Sequence, residues 1–248
     1  MKKVILIVIV ILLTGCSGKK QEKVELQILN NEIYYSGNDT HRYKSQESRR
    51  NSQNLITYKI INNTKDNLVF IINTEELYPS IDTVKNINGI SFNIKDKANK
   101  LIGCSVPLIT PELYEFDEKI SYGYYKYQFY NDSVHREKAK LMGFDKSQDW
   151  SRVDRYIKNS FILHSGESKT FKTILSLPIL AEFNPKFEIY PAYYENLKDN
   201  YKFFLYYGCD SKFIENILPE YLKQDLESNN VKIFDGIITS ESLPLVEK

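Results

Sequence analysis

The sequence is poor in the residues that most catalytic chemistry needs. It has three cysteines and three histidines among 248 residues. The histidines, His41, His135 and His164, stand far apart, and neither a C-x-x-C nor an H-E-x-x-H occurs. A zinc site wants three or four ligands at workable spacing, so neither a metal nor any other cofactor is expected. A charge excess is also missing: 33 Lys and Arg face 32 Asp and Glu, a net charge of +1. Nothing drives neutralisation of a phosphate backbone, so nucleic acid is not an expected partner. Glycine is scarce, with 10 residues, and only Gly166-Glu167-Ser168-Lys169-Thr170 approaches a nucleophile elbow. Thr170 stands where that turn needs a second glycine, and a strand pattern follows instead of a helix. The same stretch lacks the G-K-[ST] order of a phosphate loop. Long hydrophobic runs are absent too. The apolar run at 4–13 would rise about 15 Å as a helix, and a bilayer core of about 30 Å needs about 20 such residues.

That run is nevertheless informative. Lys2 and Lys3 precede it, and its length suits the h-region of a signal peptide. It ends in Leu13-Thr14-Gly15-Cys16, which resembles the lipobox of bacterial lipoproteins: Leu, two small residues and an obligatory Cys. The resemblance covers about the first 18 residues. It implies cleavage of a signal peptide at 1–15, a diacylglyceryl group on the Cys16 thiol and acylation of the new amino group. One acyl chain binds a membrane only marginally, whereas two or three make a durable anchor. The membrane is therefore an expected partner, through lipid on Cys16. Residues 16–23 read as a hydrophilic tether, and Ser rather than Asp at position 17 leans toward the outer membrane over the inner. Loss of Lys2 and Lys3 brings the net charge to about −1.

Aromatics are abundant, with 19 Tyr and 13 Phe, and such residues favour strands. Val24, Leu26 and Ile28 alternate with polar residues, as do Ile56, Tyr58 and Ile60, and Phe171, Thr173, Leu175 and Leu177. Further strands are expected near 32–35, 68–72, 90–94, 101–106, 120–130, 186–190, 201–207 and 231–239, with 243–246 as a trailing edge. Polar turns separate consecutive strands, which reads as a series of hairpins. Residues 36–54, with His41, Arg42, Lys44, Arg49 and Arg50, read as an exposed loop. Ser133 caps a helix ending near Met142. Trp150, Val153 and Ile157 mark a second, and Asp210 or Ser211 opens a third that Pro219 breaks.

The pattern of strand, polar turn and strand resembles the immunoglobulin-like domains of secreted bacterial lipoproteins, and the composition resembles that of Bacteroidota lipoproteins. The fold class expected is mainly β: an Ig-like β-sandwich with helical insertions at about 133–158 and 210–227, forming one domain over 24–248. Cys104 and Cys209 remain after Cys16 is assigned to lipid. A Cys104–Cys209 disulfide and two buried free thiols both stay open. Adjacent acids at 75–76 and 117–118 point to opposite faces of a strand, so they do not make the facing carboxylates of a glycosidase. The expected function is a non-enzymatic binding or structural module of the cell envelope, with an envelope protein or a glycan as partner. A glycan-acting envelope hydrolase and a toxin-neutralising immunity lipoprotein are the alternatives.

Overall fold

The structure is a computed structural model and describes residues 22–39, 42–80, 89–105, 133–142, 147–180 and 192–248. Cys16, His41, the aromatic stretch 120–130 and the strand expected at 186–190 lie outside the described residues, as does the side chain of Trp150. The chain is mainly β and sandwich-like, with five short helices among the described residues.

Among the described residues the strands are, in order, β1 Val24–Ile28, β2 Ile33–Tyr35, β3 Asn38–Asp39, β4 Arg42–Tyr43, β5 Gln53–Asn62, β6 Asn67–Ile71, β7 Asn73–Pro79, β8 Gly89–Lys95, β9 Cys104–Ser105, β10 Ser160–Leu163, β11 Ser168–Ser176, β12 Tyr193–Tyr194, β13 Lys202–Cys209, β14 Val231–Ile233, β15 Gly236–Thr239 and β16 Leu243–Glu247. The front sheet is β1-β5-β11, antiparallel throughout. The back sheet runs β2-β16-β13-β8-β7, with β15 beside the far half of β13. A third sheet, β10-β6-β14, joins them and is called the corner sheet below. Two small ladders, β3-β4 and β9-β12, complete the set.

The front sheet shows the alternation expected of a half-buried sheet. Ile56, Tyr58 and Ile60 of β5 and Phe171, Thr173 and Leu175 of β11 are buried, with half-buried residues between them in β5 and exposed ones in β11. β8 and β13 differ: Gly89 to Ile94 and Phe203 to Cys209 are buried on both faces. Gly89 has φ +137°, and a Cβ there would lie 3.1 Å from the backbone N and O of Asn73, so the start of β8 requires glycine.

The polar turn at 96–99 folds the chain back as expected, with Lys95 bridging Leu101 antiparallel and Ile102 N bonding Ile94 O (2.8 Å), but the turns after β5 and β10 do not close hairpins. β5 and β6 follow one another yet pair with different strands, β5 with β1 and β11, β6 with β10 and β14. β10 and β11 behave alike. The segment expected as one strand at 231–239 is two, β14 in the corner sheet and β15 in the back sheet, broken at Phe234-Asp235, with Gly236 opening β15 at φ +123°. Each corner-sheet strand thus continues into another sheet, and alternation alone cannot reveal this because the period is unbroken in each half. β16 is also not an edge, since it lies between β2 and β13 and buries Leu245.

Asn62, fully buried at the end of β5, ties two of these corners together. Its Nδ2 donates to Leu163 O (2.9 Å) and Asp66 O (2.8 Å), and its Oδ1 accepts from Thr64 N (3.1 Å) and Thr64 Oγ1 (2.7 Å). Its backbone bonds across to the other turn, N–H to Glu167 O (2.9 Å) and O from Gly166 N (2.7 Å). At the other end of β5, buried Asn54 pairs like a strand residue with Tyr34 of β2. It accepts from Tyr34 N (2.7 Å) and donates to Tyr34 O (2.8 Å).

Aromatic rings fill the joint. Phe70 of β6 stacks on Phe161 (5.7 Å between centroids) and Phe234 (5.2 Å) and tilts against Tyr207 of β13 (5.9 Å). Phe161 meets Phe171 of the front sheet at 5.3 Å, and Phe171 stacks on Tyr58 at 5.2 Å. The Tyr207 hydroxyl accepts a hydrogen bond from Ile71 N (3.1 Å). One hydrophobic cluster therefore runs through all three sheets.

The helices are α1 Gln46–Asn51, α2 at 133–141, α3 Ser147–Asn159, α4 Ser211–Ile217 and α5 Glu220–Ser228. Four occur where the sequence places them. Asp210 caps α4, accepting from Phe213 N (3.1 Å), and Pro219 separates α4 from α5. In α3 the buried face holds Val153 and Tyr156, while Ile157 is half exposed. The exception is α1, inside the stretch expected to be bare loop. Ser45 caps it through Ser48 N (3.0 Å). Buried Ser36, Ser52 and Asn54 pin both ends of that stretch to the body.

Substitutions at Phe70 and Asn62 measure these joints by urea unfolding, with Ile174 as the exposed control. Phe70→Ala is expected to lower stability by about 3–5 kcal/mol, the range for a large buried aromatic, while Ile174→Ala at a 69% exposed position stays within about 0.5 kcal/mol. Asn62→Ala is expected to cost about 2–3 kcal/mol, since it orphans buried backbone groups. Asn62→Asp should cost more, because it removes both donors and sets a charge against two carbonyls.

Candidate functional site

The outward residues of β8 and β13 fall into rows set by the register. Lys202 stands opposite Lys95, Phe204 opposite Asn93 and Tyr206 opposite Ser91. Alternation puts all six on the face turned away from Phe92 and Phe203, which stack in the core at 5.3 Å.

A pocket forms over the first two rows. On one side β13 changes partner: Lys202 and Phe203 pair with β16, and Tyr206 to Cys209 pair with β15. Ser240 fills the gap, its N–H donating to Leu205 O (2.9 Å) and its Oγ accepting from Leu205 N (2.9 Å). The chain from Thr239 to Ser242 thereby stands as a wall. On the other side is the turn after β8. The Asp96 carboxylate accepts from Ala98 N (2.8 Å) and Lys100 N (2.9 Å), and Asn99 takes φ +62°. This turn raises Asn99 and Leu101 beside the lysines. The cavity is about 430 Å³, lined by both lysines, both asparagines, Phe204 and Leu101, and the hydroxyls of Thr239, Ser240 and Ser242.

Two ammonium groups and no carboxylate line this space. Lys95 Nζ lies 4.8 Å from the Phe204 ring centroid, and Lys202 Nζ donates to Asn99 Oδ1 (3.3 Å). Neither lysine forms an ion pair among the described residues. The arrangement suits an anion over an apolar floor. Among the described residues its lining includes no histidine, thiol or acid, and the Ser240 hydroxyl bonds Leu205 N and Glu241 O.

The residues singled out by sequence lie elsewhere. His135 is exposed on α2 and His164 at the turn between β10 and β11, and among the described residues no three metal-ligating side chains gather. Arg49 and Arg50 end α1. Cys104 and Cys209 are free thiols, so the disulfide left open by the sequence is not made. The fold keeps them apart. Ile102 N bonds Ile94 O, and Ile94 pairs with Phe203, six residues before Cys209 on β13. Six residues of strand span about 20 Å, and the two steps from Ile102 to Cys104 recover at most about 7 Å. The remaining gap exceeds the Cα separation of about 7 Å a disulfide allows. Burial pushes the Cys104 thiol up to about 11. The lysine pair escaped sequence reasoning because 106 positions separate its members and only the strand register brings them together.

Thiol accessibility tests this placement in a chain carrying Cys16→Ser. At about pH 8, Cys104 is expected to react with a disulfide reagent about a hundredfold more slowly than a free thiol, because its thiolate fraction is that much smaller. The rate should climb as pH rises toward 11, and buried Cys209 should react only on unfolding. A denatured, unreduced sample that releases fewer than two thiols would show a bridge instead.

Comparison with protein-family models, with curated proteins and with solved structures finds no match.

Proposed function

We propose that this chain is a lipoprotein of the cell envelope, held to the membrane by lipid on Cys16 and working as a non-enzymatic binding module. The observation that carries the anchoring is Leu13-Thr14-Gly15-Cys16 at the end of a ten-residue apolar run too short to span a bilayer. Among the described residues no helix is long and apolar enough to cross a membrane, so attachment rests on lipid in this reading.

The tether supports it. Residues 17–22, Ser-Gly-Lys-Lys-Gln-Glu, are hydrophilic, and among the described residues the chain first meets the body at the Glu22–Lys65 ion pair (2.9 Å) and where Lys23 O accepts from Asn63 N (3.2 Å). These contacts stand a few residues from Cys16 in the chain, beside the β5–β6 corner. The binding role draws on the pocket lining, whose cations, amides and hydroxyls hold a ligand without supplying an acid and a base. The outer membrane is the proposed site, from Ser17.

Cell fractionation tests the anchor. The wild-type chain is expected to sediment with membranes and to take up a fatty-acid label. Cys16→Ser should lose the label and keep the signal peptide uncleaved. A Cys16→Ser chain still labelled by fatty acid would sink the reading.

A further inference from the structure

We propose that the pocket over Lys95 and Lys202 binds the anionic group of an acidic sugar, a carboxylated or sulfated unit of a glycan. This deepens the binding-module reading and rests on it for its setting.

The first argument is the charge arrangement. Lys95 and Lys202 are direct cross-strand partners, and like charges so placed destabilise a sheet. A surface chosen for stability alone would carry an acid at one of the two positions. Here one ammonium leans over Phe204 and the other reaches Asn99, leaving two cations at the rim of one cavity. An anion seated between them removes the repulsion and gains charge-assisted hydrogen bonds from both.

The second argument is the rest of the lining. Phe204 gives an apolar ring at the floor. Asn99, Thr239 and Ser242, all exposed, offer amide and hydroxyl groups around the cations. A sugar acid presents hydroxyls to that polar rim and its anionic group to the lysines, while the buried Phe204 ring, with Lys95 Nζ over it at 4.8 Å, backs the cation. A cavity of about 430 Å³ lies within the range of about 300–1,000 Å³ typical of small-ligand sites. A peptide fits less well. Peptides commonly add to an exposed sheet edge, and β13 is paired on both sides along this stretch, to β8 and to β16, with Ser240 filling the gap to β15.

The test uses the full chain purified in detergent and two pairs of polymers that differ only in charge. Polygalacturonate is compared with its methyl ester, and dextran sulfate with dextran, by titration calorimetry. At least one charged polymer should bind while its neutral twin does not, and which one binds separates carboxylate from sulfate. Lys95→Gln and Lys202→Gln should each weaken binding about tenfold, and the double variant should abolish it. Lys172→Gln, exposed on the front sheet, should change nothing. Neither Lys95→Gln nor Lys202→Gln should lower the thermal midpoint, since each relieves a like-charge pair. The proposal is overturned if neither charged polymer binds better than its twin, if the double variant binds as the wild type does, or if Lys172→Gln weakens binding equally. Detergent removes any part for the anchor, so a failure here is distinct from a failure of the Cys16 reading.

Discussion

A strand that passes from one sheet to another carries its backbone N–H and C=O groups through a bend where no ladder pairs them, and buried groups of that kind must find partners. This fold makes that passage repeatedly, from β5 to β6, from β10 to β11 and from β14 to β15. Asn62 answers the problem at the first two at once. Its amide serves carbonyls on both chains and a backbone N–H, while its own main chain bonds to the neighbouring turn. An apolar residue would fill the space and leave those groups unpaired. Asn54 does the same work at the other end of β5, with Tyr34 as its strand-like partner. The front sheet is thus fastened at both ends by amides and between them by Ile56, Tyr58 and Ile60.

The aromatic richness of the sequence follows from the same geometry. Where three sheets converge, the space between them is wide and irregular, and large flat side chains fill it with few rotatable bonds. Phe70 touches rings from each direction, so the corner sheet is coupled to the front sheet through Phe161 and Phe171 and to the back sheet through Tyr207. Well-oriented aromatic pairs contribute about 0.5–1.5 kcal/mol beyond area burial. The amides fix direction at the corners, and the rings fill the space between the sheets.

What the sequence reveals and what it conceals divide along a physical line. Period-2 alternation reports which face of a strand is buried, and it places β1, β5 and β11 correctly. Helix signals are local, so Asp210, Pro219 and Ser133 mark their elements in advance. Pairing is not local. A polar turn between two alternating runs looks the same whether the chain folds back beside itself or crosses to another sheet, so the corners read as hairpins. The break at Phe234-Asp235 and the interior place of β16 were hidden for the same reason. In 36–54, low hydrophobicity masked a capped helix whose anchoring comes from Tyr43, Ser52 and Asn54, where hydroxyls and an amide replace apolar contact. The lysine pocket is the extreme case. Each lysine alone is an ordinary polar-face residue, and only the β8–β13 register makes a pair of them.

That pair also corrects an inference drawn from total charge. A nearly neutral chain has no long-range field to gather anions, and at physiological salt the screening length is about 8 Å. Selection by Lys95 and Lys202 would therefore act only at contact, inside the pocket. Such a site recruits a ligand already abundant nearby rather than steering a dilute one from afar. A lipid on Cys16 would supply that condition by confining the domain to a surface, which lets a weak local site function without any global charge to assist it.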